Sequence, residues 1–338
     1  MQTAATKGAL QPKPKNYSWL VPLIAVLIFA FMPLYAGRST LNMFTNIFCL
    51  GVFAMSYDLL LGYTGILSFG HAMFFGIGGY AVGIIVKNTA PSIQFVVLAF
   101  LGAIAISILL SLLIGFLSLR VRDTYYAMIT MAFGELFVIA ADRARHLTNG
   151  EDGLTFAIPP VFRDRILYFY VVLAFAIISF YLLWRFTNSP TGRVMVAIRE
   201  NEQRVKFLGL KTLNYKLIST VVAGVFASLA GGFYAIHMRF FSTTSCNTLV
   251  TIDALMATII GGIGTLYGSV IGMGVIKLSG DYLSRLAKLS PVFDRWPIIF
   301  GILYILIVIF APYGIVGLVY KIKHKITSSK QAKKALEA

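Results

Sequence analysis

Leu249 to Gly280 read LVTIDALMATIIGGIGTLYGSVIGMGVIKLSG. The stretch is apolar, yet longer than the roughly 20 residues one helix needs to cross a hydrocarbon core. Gly261, Gly262, Gly264 and Gly268 interrupt it. Whether it crosses once or twice decides on which side every later residue lies. The rest of the chain supplies the answer. Its 338 residues are 58% hydrophobic and 12% charged, with mean hydropathy +0.81. Soluble domains carry about 25% charged residues. This composition excludes a soluble enzyme, a disordered chain and a disulfide scaffold, and indicates an all-α polytopic membrane protein. Cys49 lies in an apolar run and Cys246 near a loop, so the two cysteines give no metal or disulfide framework. A net charge of +16 would point to nucleic acid in a soluble protein. In a membrane protein it reports orientation, because Lys and Arg stay on the cytoplasmic side.

Apolar spans are expected near 19–36, 41–61, 66–86, 93–119, 124–141, 167–186, 213–236 and 297–320. Between them the basic residues sort clearly. The N-terminal tail holds Lys7, Lys13 and Lys15, and the turn after the fourth span holds Arg120 and Arg122. The segment 187–216 holds Arg193, Arg199, Arg204, Lys206, Lys211 and Lys216, and the C-terminal tail is rich in Lys. Placing these four inside gathers more than half of the 29 basic residues there. Loop 142–166 is mixed in sign. From an inside N-terminus, six crossings return the chain inside at 187, and 213–236 leads out. A single crossing of 249–280 would then strand the basic C-terminal tail outside. The stretch must therefore cross an even number of times, as two short helices or a re-entrant hairpin turning at the glycines. About ten helical segments follow, with both ends inside. The first 36 residues have some look of a signal peptide, but removing that span would invert everything after it.

Gly62 to Gly83, GYTGILSFGHAMFFGIGGYAVG, is a second glycine-dense segment, in the other half of the chain. Interrupted segments in two halves are the mark expected of an internal repeat that lines a substrate path. The competing reading is close helix packing, which also draws on small residues every four positions, as at Gly264, Gly268 and Gly272 or Gly79 and Gly83. Ionisable groups within the spans are few: Asp58, His71, Glu135, His237, Asp253 and Lys277. Such groups face protein or water. Ser68, His71, Thr130, Glu135, Gly261, Gly262 and Gly264 are the candidates for a translocation path, with Asp58 and Asp253 as further polar intramembrane groups. For Asp58, His71 and Glu135 the alternative is a buried bridge between helices. Lys277 is expected near the outer surface, where it can snorkel.

Pro190 to Lys216, PTGRVMVAIRENEQRVKFLGLKTLNYK, reads as a short amphipathic helix opened by Pro190 and Gly192 and closed by Gly209. Val194, Ile198, Val205 and Leu208 form its apolar stripe. It either rests on the lipid surface or docks in a groove of a cytoplasmic partner. Glu200 and Glu202 among the bases favour a protein partner. The chain has no GxxxxGK[ST] loop, no HExxH and no GxSxG, so P-loop ATP hydrolysis, zinc proteolysis and serine hydrolysis by those routes have no signal. No arginine ladder marks a voltage sensor.

GYTGILSFGHAMFFGIGGYA, DTYYAMITMAFGEL, NGEDGL, TGRVMVAIRENEQRVKFLG and IIGGIGTLYGSVIG occur in this order. Together they resemble the permease subunits of bacterial branched-chain amino-acid ABC importers, most closely the LivM type. The motifs run from about Gly62 to Gly274, and the span pattern extends the likeness to about residue 320. The resemblance implies a second, related permease of the LivH kind, two P-loop ATPase subunits below and a periplasmic substrate-binding protein above, in the bacterial inner membrane. ATP and Mg would bind the ATPase subunits and no cofactor this chain. The family's cytoplasmic helix is a coupling helix. Here that is Gly192 to Gly209, with Arg193, Ala197, Arg199, Glu200, Asn201 and Glu202 as its contacts. NGEDGLTFAIP lacks the family's usual second glycine pair, so the outer loop is expected to meet the binding protein differently.

The sequence therefore reads as basic tails at 1–18 and 321–338 flanking a transmembrane permease domain at 19–320. The expected activity is import of branched-chain or other apolar amino acids by alternating access, with urea or short amides as the alternative cargo. An ion-coupled secondary transporter using Glu135, Asp58 or Asp253 is the rival of another class. A membrane enzyme lacks any paired catalytic groups.

Overall fold

The computed structural model describes residues 29–35, 37–89, 91–119, 121, 123–287, 301 and 314–318. The expected tails, most of the spans at 19–36 and 297–320, and Arg120 and Arg122 lie outside the described residues. The architecture is an all-α polytopic membrane bundle. α1 (Arg38–Asp58) continues as a π-helical turn, Leu59–Thr64, and stops at Gly65, whose φ is +76°. After an extended stretch come α2 (Ala72–Asn88), α3 (Ile93–Ser118) and α4 (Asp123–Arg143). α5 (Arg165–Thr187) leads to α6 (Pro190–Phe207), α7 (Thr212–Met238), α8 (Thr248–Gly261) and α9 (Tyr267–Ala287). The stretch 249–280 is thus two helices joined by a tight turn at 262–266.

Burial runs opposite to that of a soluble protein. The window of α1 and its π-turn is 83% buried, whereas that of the more apolar α3 is 28% buried. Leu98, Leu101, Leu109, Leu113 and Phe116 of α3 are all exposed, as a helix facing lipid requires. The centre is instead assembled from small residues that let backbones touch. A Cβ on Gly78 would come within 1.7 Å of the Ser228 carbonyl oxygen, and one on Gly231 within 1.9 Å of that of Phe75, so α2 and α7 meet backbone to backbone. Gly268 and Gly272 pack against α8 in the same way, at Gly261 and Ala257. Gly79 and Gly83 leave room for Phe241 and Leu154. Those two residues belong to a short antiparallel pair, β1 (Leu154–Thr155) with β2 (Phe240–Phe241), at the end of the bundle away from α6.

The span expected at 66–86 is helical only from Ala72. Residues 65–70 are irregular at membrane depth, which is tolerated only where protein covers them. Ile66, Ser68, Gly70 and His71 are buried.

Candidate functional site

Two breaks in the helices meet at the α6 end of the bundle. The first is the exit of the π-turn around Gly62, and the second is the 262–266 turn. A Cβ on Gly62 would stand 2.5 Å from the Gly264 amide nitrogen and 2.1 Å from Asp58 Oδ1. Asp58, fully buried, accepts a hydrogen bond from the Gly264 amide at 2.7 Å. Gly262 (φ +123°) and Gly264 (φ +79°) occupy backbone conformations that side chains disfavour. Gly314 approaches Gly262 so closely that its own Cβ would lie 2.5 Å away. Gly261 is needed for contact with Gly268. Arg199 of α6 reaches this junction. Its guanidinium donates to the carbonyl of Gly62 and lies beside Gly264, with Asp58 near enough to attract it. One side chain of α6 therefore touches both breaks.

The extended stretch after the first break is held by hydroxyls from distant helices. Thr130 of α4 accepts from the Phe69 amide at 3.3 Å, and Thr251 of α8 accepts from the Ala72 amide at 2.9 Å. The second satisfies one of the amides that the start of α2 would leave unpaired. A Cβ on Gly70 would be 2.0 Å from the Thr130 carbonyl oxygen, which brings the loop flush against α4. Ser68 is buried in it. His71 is fully buried, with Nε2 2.9 Å from the Ser56 hydroxyl and its ring stacked on Phe53. Its place is that of a bridge between α1 and α2. Glu135 accepts from the Thr248 hydroxyl at 2.6 Å and so ties α4 to the start of α8.

Further along the α8–α9 hairpin, Lys277 Nζ lies 3.0 Å from Asp253 Oδ2. The two residues are 24 positions apart, equally spaced about Thr265. From the turn they stand roughly 12–15 Å up their helices. Lys277, expected near the outer surface, is paired with Asp253 of the facing helix. The pair borders a cavity of about 70 Å³ whose walls include Phe53, Phe75, Tyr234, Val250 and Met273. The side chains of Lys277 and Asp253 keep 31% and 47% exposure. A lone charge at the centre of a bilayer costs roughly 2.5–3.5 kcal/mol to insert. Pairing lowers such a cost. The sequence reading did not pair them; their equal spacing about Thr265 is the signal that could have done so.

α6 itself departs from one continuous amphipathic helix. Ser189 caps it by accepting from the Gly192 amide, with Pro190 in the first turn. Gly192 sits against the Thr187 carbonyl, where no Cβ fits. At Asn201 the backbone leaves the helical region (φ −160°, ψ 95°), and the Asn201 side chain accepts from the Arg204 amide to start a second short helix. This break shifts the apolar stripe. Met195, Ile198 and Val205 are the buried residues, whereas Leu208 is 74% exposed and Phe207 88%. Gly209 (φ +81°) ends the helix, its amide donating to the Lys206 carbonyl. Arg193, Ala197 and Glu200 are exposed. Glu202 turns inward and binds Lys206, Lys216 and Thr212 at 2.8–2.9 Å, fastening α6 to α7. Burial raises its pKa, but these partners lower it more, to about 2.

The family described as branched-chain amino acid transport system / permease component matches residues 39–312. The chain belongs to this family. It is 24% identical over 343 residues to the high-affinity branched-chain amino acid transport system permease protein LivM of Escherichia coli K12, with 92% of this chain and 78% of that protein covered. It is 22% identical to the probable LivM of Methanocaldococcus jannaschii, covering 78% of this chain and 89% of that one. It is also 26% identical to the probable LivH permease of the same organism, over 163 residues, covering 47% of this chain and 50% of that one. No solved structure matches the chain. This family's members are transport permeases rather than enzymes, and the described spans fit a multi-pass membrane protein.

Proposed function

We propose that the chain is the permease subunit of an ATP-driven importer of branched-chain amino acids. It pairs with a second permease of the LivH kind, docks two P-loop ATPase subunits through α6, and receives substrate from a periplasmic binding protein. ATP and Mg act on the partner subunits. In this reading the α6 end faces the cytoplasm and the β1–β2 end the periplasm, in the bacterial inner membrane. The basic residues around α6 support that orientation. The tails 1–18 and 321–338 then lie in the cytoplasm and 19–320 forms the permease domain.

The observation that carries the coupling role is Arg199, which joins α6 to the carbonyl of Gly62 and the turn at Gly264. A shift of α6 transmitted through it moves both helix breaks together, which is what alternating access asks of a coupling element. The shift must come from an ATPase that binds α6 differently in its two states. Arg193, Ala197, Glu200, Phe207 and Leu208, all exposed, are its docking face. Exposed apolar groups beside charges suit a protein groove. Gly192, Asn201, Glu202 and Gly209 shape and anchor the helix rather than contact the partner. Among the other residues named from sequence, Ser68, His71, Thr130 and Glu135 hold the irregular stretch and its neighbours in place beside the path.

The test is co-purification of the tagged chain from its host in mild detergent, followed by reconstitution. Two ATPases and a second permease in the complex, with ATP-dependent leucine uptake, are expected. Arg199→Ala should leave the complex assembled and lower uptake by about tenfold or more. Uptake that persists without ATP and collapses with an uncoupler would overturn the reading in favour of ion coupling.

A further inference from the structure

The contacts that hold the two breaks leave the Asp253–Lys277 cavity unexplained. It is bordered by α1, α2, α7, α8 and α9 and holds one anion and one cation on facing helices. We propose that Asp253 and Lys277 bind the zwitterionic head of an α-amino acid in transit, Asp253 taking the ammonium and Lys277 the carboxylate. The proposal rests on the permease reading above and adds to it a site.

Charge, access and shape all point the same way. Empty, the two side chains neutralise each other, so the cavity carries no uncompensated charge. When a zwitterion enters, the pair opens and each member exchanges its partner for an equal one. Two ion pairs then replace one, and the net charge of the site stays zero throughout. An amine or a carboxylate alone would satisfy one member and strand the other, which low-dielectric surroundings penalise. The site therefore rejects singly charged solutes by the charge it leaves unpaired. Both side chains keep partial exposure, so they are open to exchange rather than sealed between helices. A cavity of about 70 Å³, roughly two waters at about 30 Å³ each, gives the head group a place to enter as the pair opens. Phe75, Val250 and Met273 then offer apolar walls to an aliphatic side chain. Because the site must break its own ion pair before it can hold the ligand, binding is weak, as a path that must release its cargo requires.

The reading against which this is tested is a clamp that only joins α8 to α9. The complete importer, in proteoliposomes with its binding protein, is assayed for ATP-driven uptake of radiolabelled L-leucine and L-valine. Five variants are compared: D253N, K277Q, the double D253N/K277Q, the exchange D253K/K277D, and D281N. The last breaks the exposed Asp281–Arg285 pair on α9 and serves as control. Charge-assisted contacts of this kind are worth about tenfold or more. D253N, K277Q and the double variant should each reach the membrane in assembled complexes and lose at least tenfold in uptake. The exchange should stay equally impaired, because the walls fix which end of the ligand meets which helix. D281N should match the parent. Normal uptake by the double variant, or its restoration by the exchange, would overturn the proposal in favour of a clamp. So would failure of every Asp253 and Lys277 variant to insert. No ATP-driven leucine or valine uptake by the parent importer would instead sink the permease reading itself.

Discussion

The two ends of the α8–α9 hairpin use charge in opposite ways. At the turn, Asp58 is fully buried and spends one oxygen on the Gly264 amide. Further along the hairpin, Asp253 is 47% exposed and paired with a cation beside a cavity. The first carboxylate binds backbone that no substrate can displace. The second binds a side chain that a substrate can replace. A third carboxylate lies between them in exposure. Glu202, 30% exposed, joins α6 to α7 through Lys216 and Thr212. What separates structural from exchangeable charge in this permease is the nature of the partner and its access to a cavity, more than the cost of burying a carboxylate.

The comparison breaks most severely at Gly62. A methyl group there collides with Asp58 and with the Gly264 backbone at 2.1–2.8 Å, and Asp58 cannot retreat without releasing the Gly264 amide. Gly62→Ala should cost about 3 kcal/mol by overpacking, seen as a large fall in the thermal unfolding temperature of the detergent-solubilised protein. Gly102→Ala is the control, because nothing lies within 4 Å of its position. That change should be neutral, or stabilising by up to about 1 kcal/mol, since it lowers the backbone entropy of the unfolded chain.

Asp58 offers a finer cut. Asp58→Ala leaves the buried Gly264 amide without an acceptor, at a cost of about 1–3 kcal/mol. Asp58→Asn keeps an oxygen for that amide and loses only the charge facing Arg199. Asparagine should therefore recover most of the unfolding temperature lost in the alanine variant. If both fall equally, the charge rather than the hydrogen bond holds the turn.

The folding of 249–280 into two helices was legible because charge elsewhere asks for an even number of crossings and the glycines fix where the chain turns. The lipid-facing helices were legible from apolar composition and length. The irregular stretch 65–70 was not, because its supports, Thr130 and Thr251, lie 61 and 179 residues away along the chain. No local pattern reports a hydroxyl that distant. The break in α6 was hidden for a different reason. Asn201 stands in a helix-favouring run, and only its side-chain bond to the Arg204 amide marks a new start. Asp253 was recognised as a polar group and Lys277 assigned to the surface. Reading the hairpin as a mirror about Thr265 brings them to one depth.

The smallest effect concerns Glu202, and pH sharpens it. Its pKa falls from the usual 4.5 to about 2, because hydrogen bonds from Lys216, Lys206 and Thr212 outweigh its burial. A carboxylate whose folded value is depressed adds stability that is fully present above the unfolded value, and loses it as the pH falls through the folded one. Glu202 therefore contributes fully at neutral pH, progressively less below about 4.5, and nothing below about 2. With Glu202 partly exposed, solvent screening holds the contribution to about 1 kcal/mol or less. Glu202→Gln should lower the unfolding temperature slightly at pH 7, and the gap from the parent should narrow between pH 4.5 and pH 2. A gap that stays constant across that range would mean that the amide replaces the carboxylate poorly for reasons of shape. The α6–α7 joint would then be held by packing at Val205 and Ile198 rather than by charge.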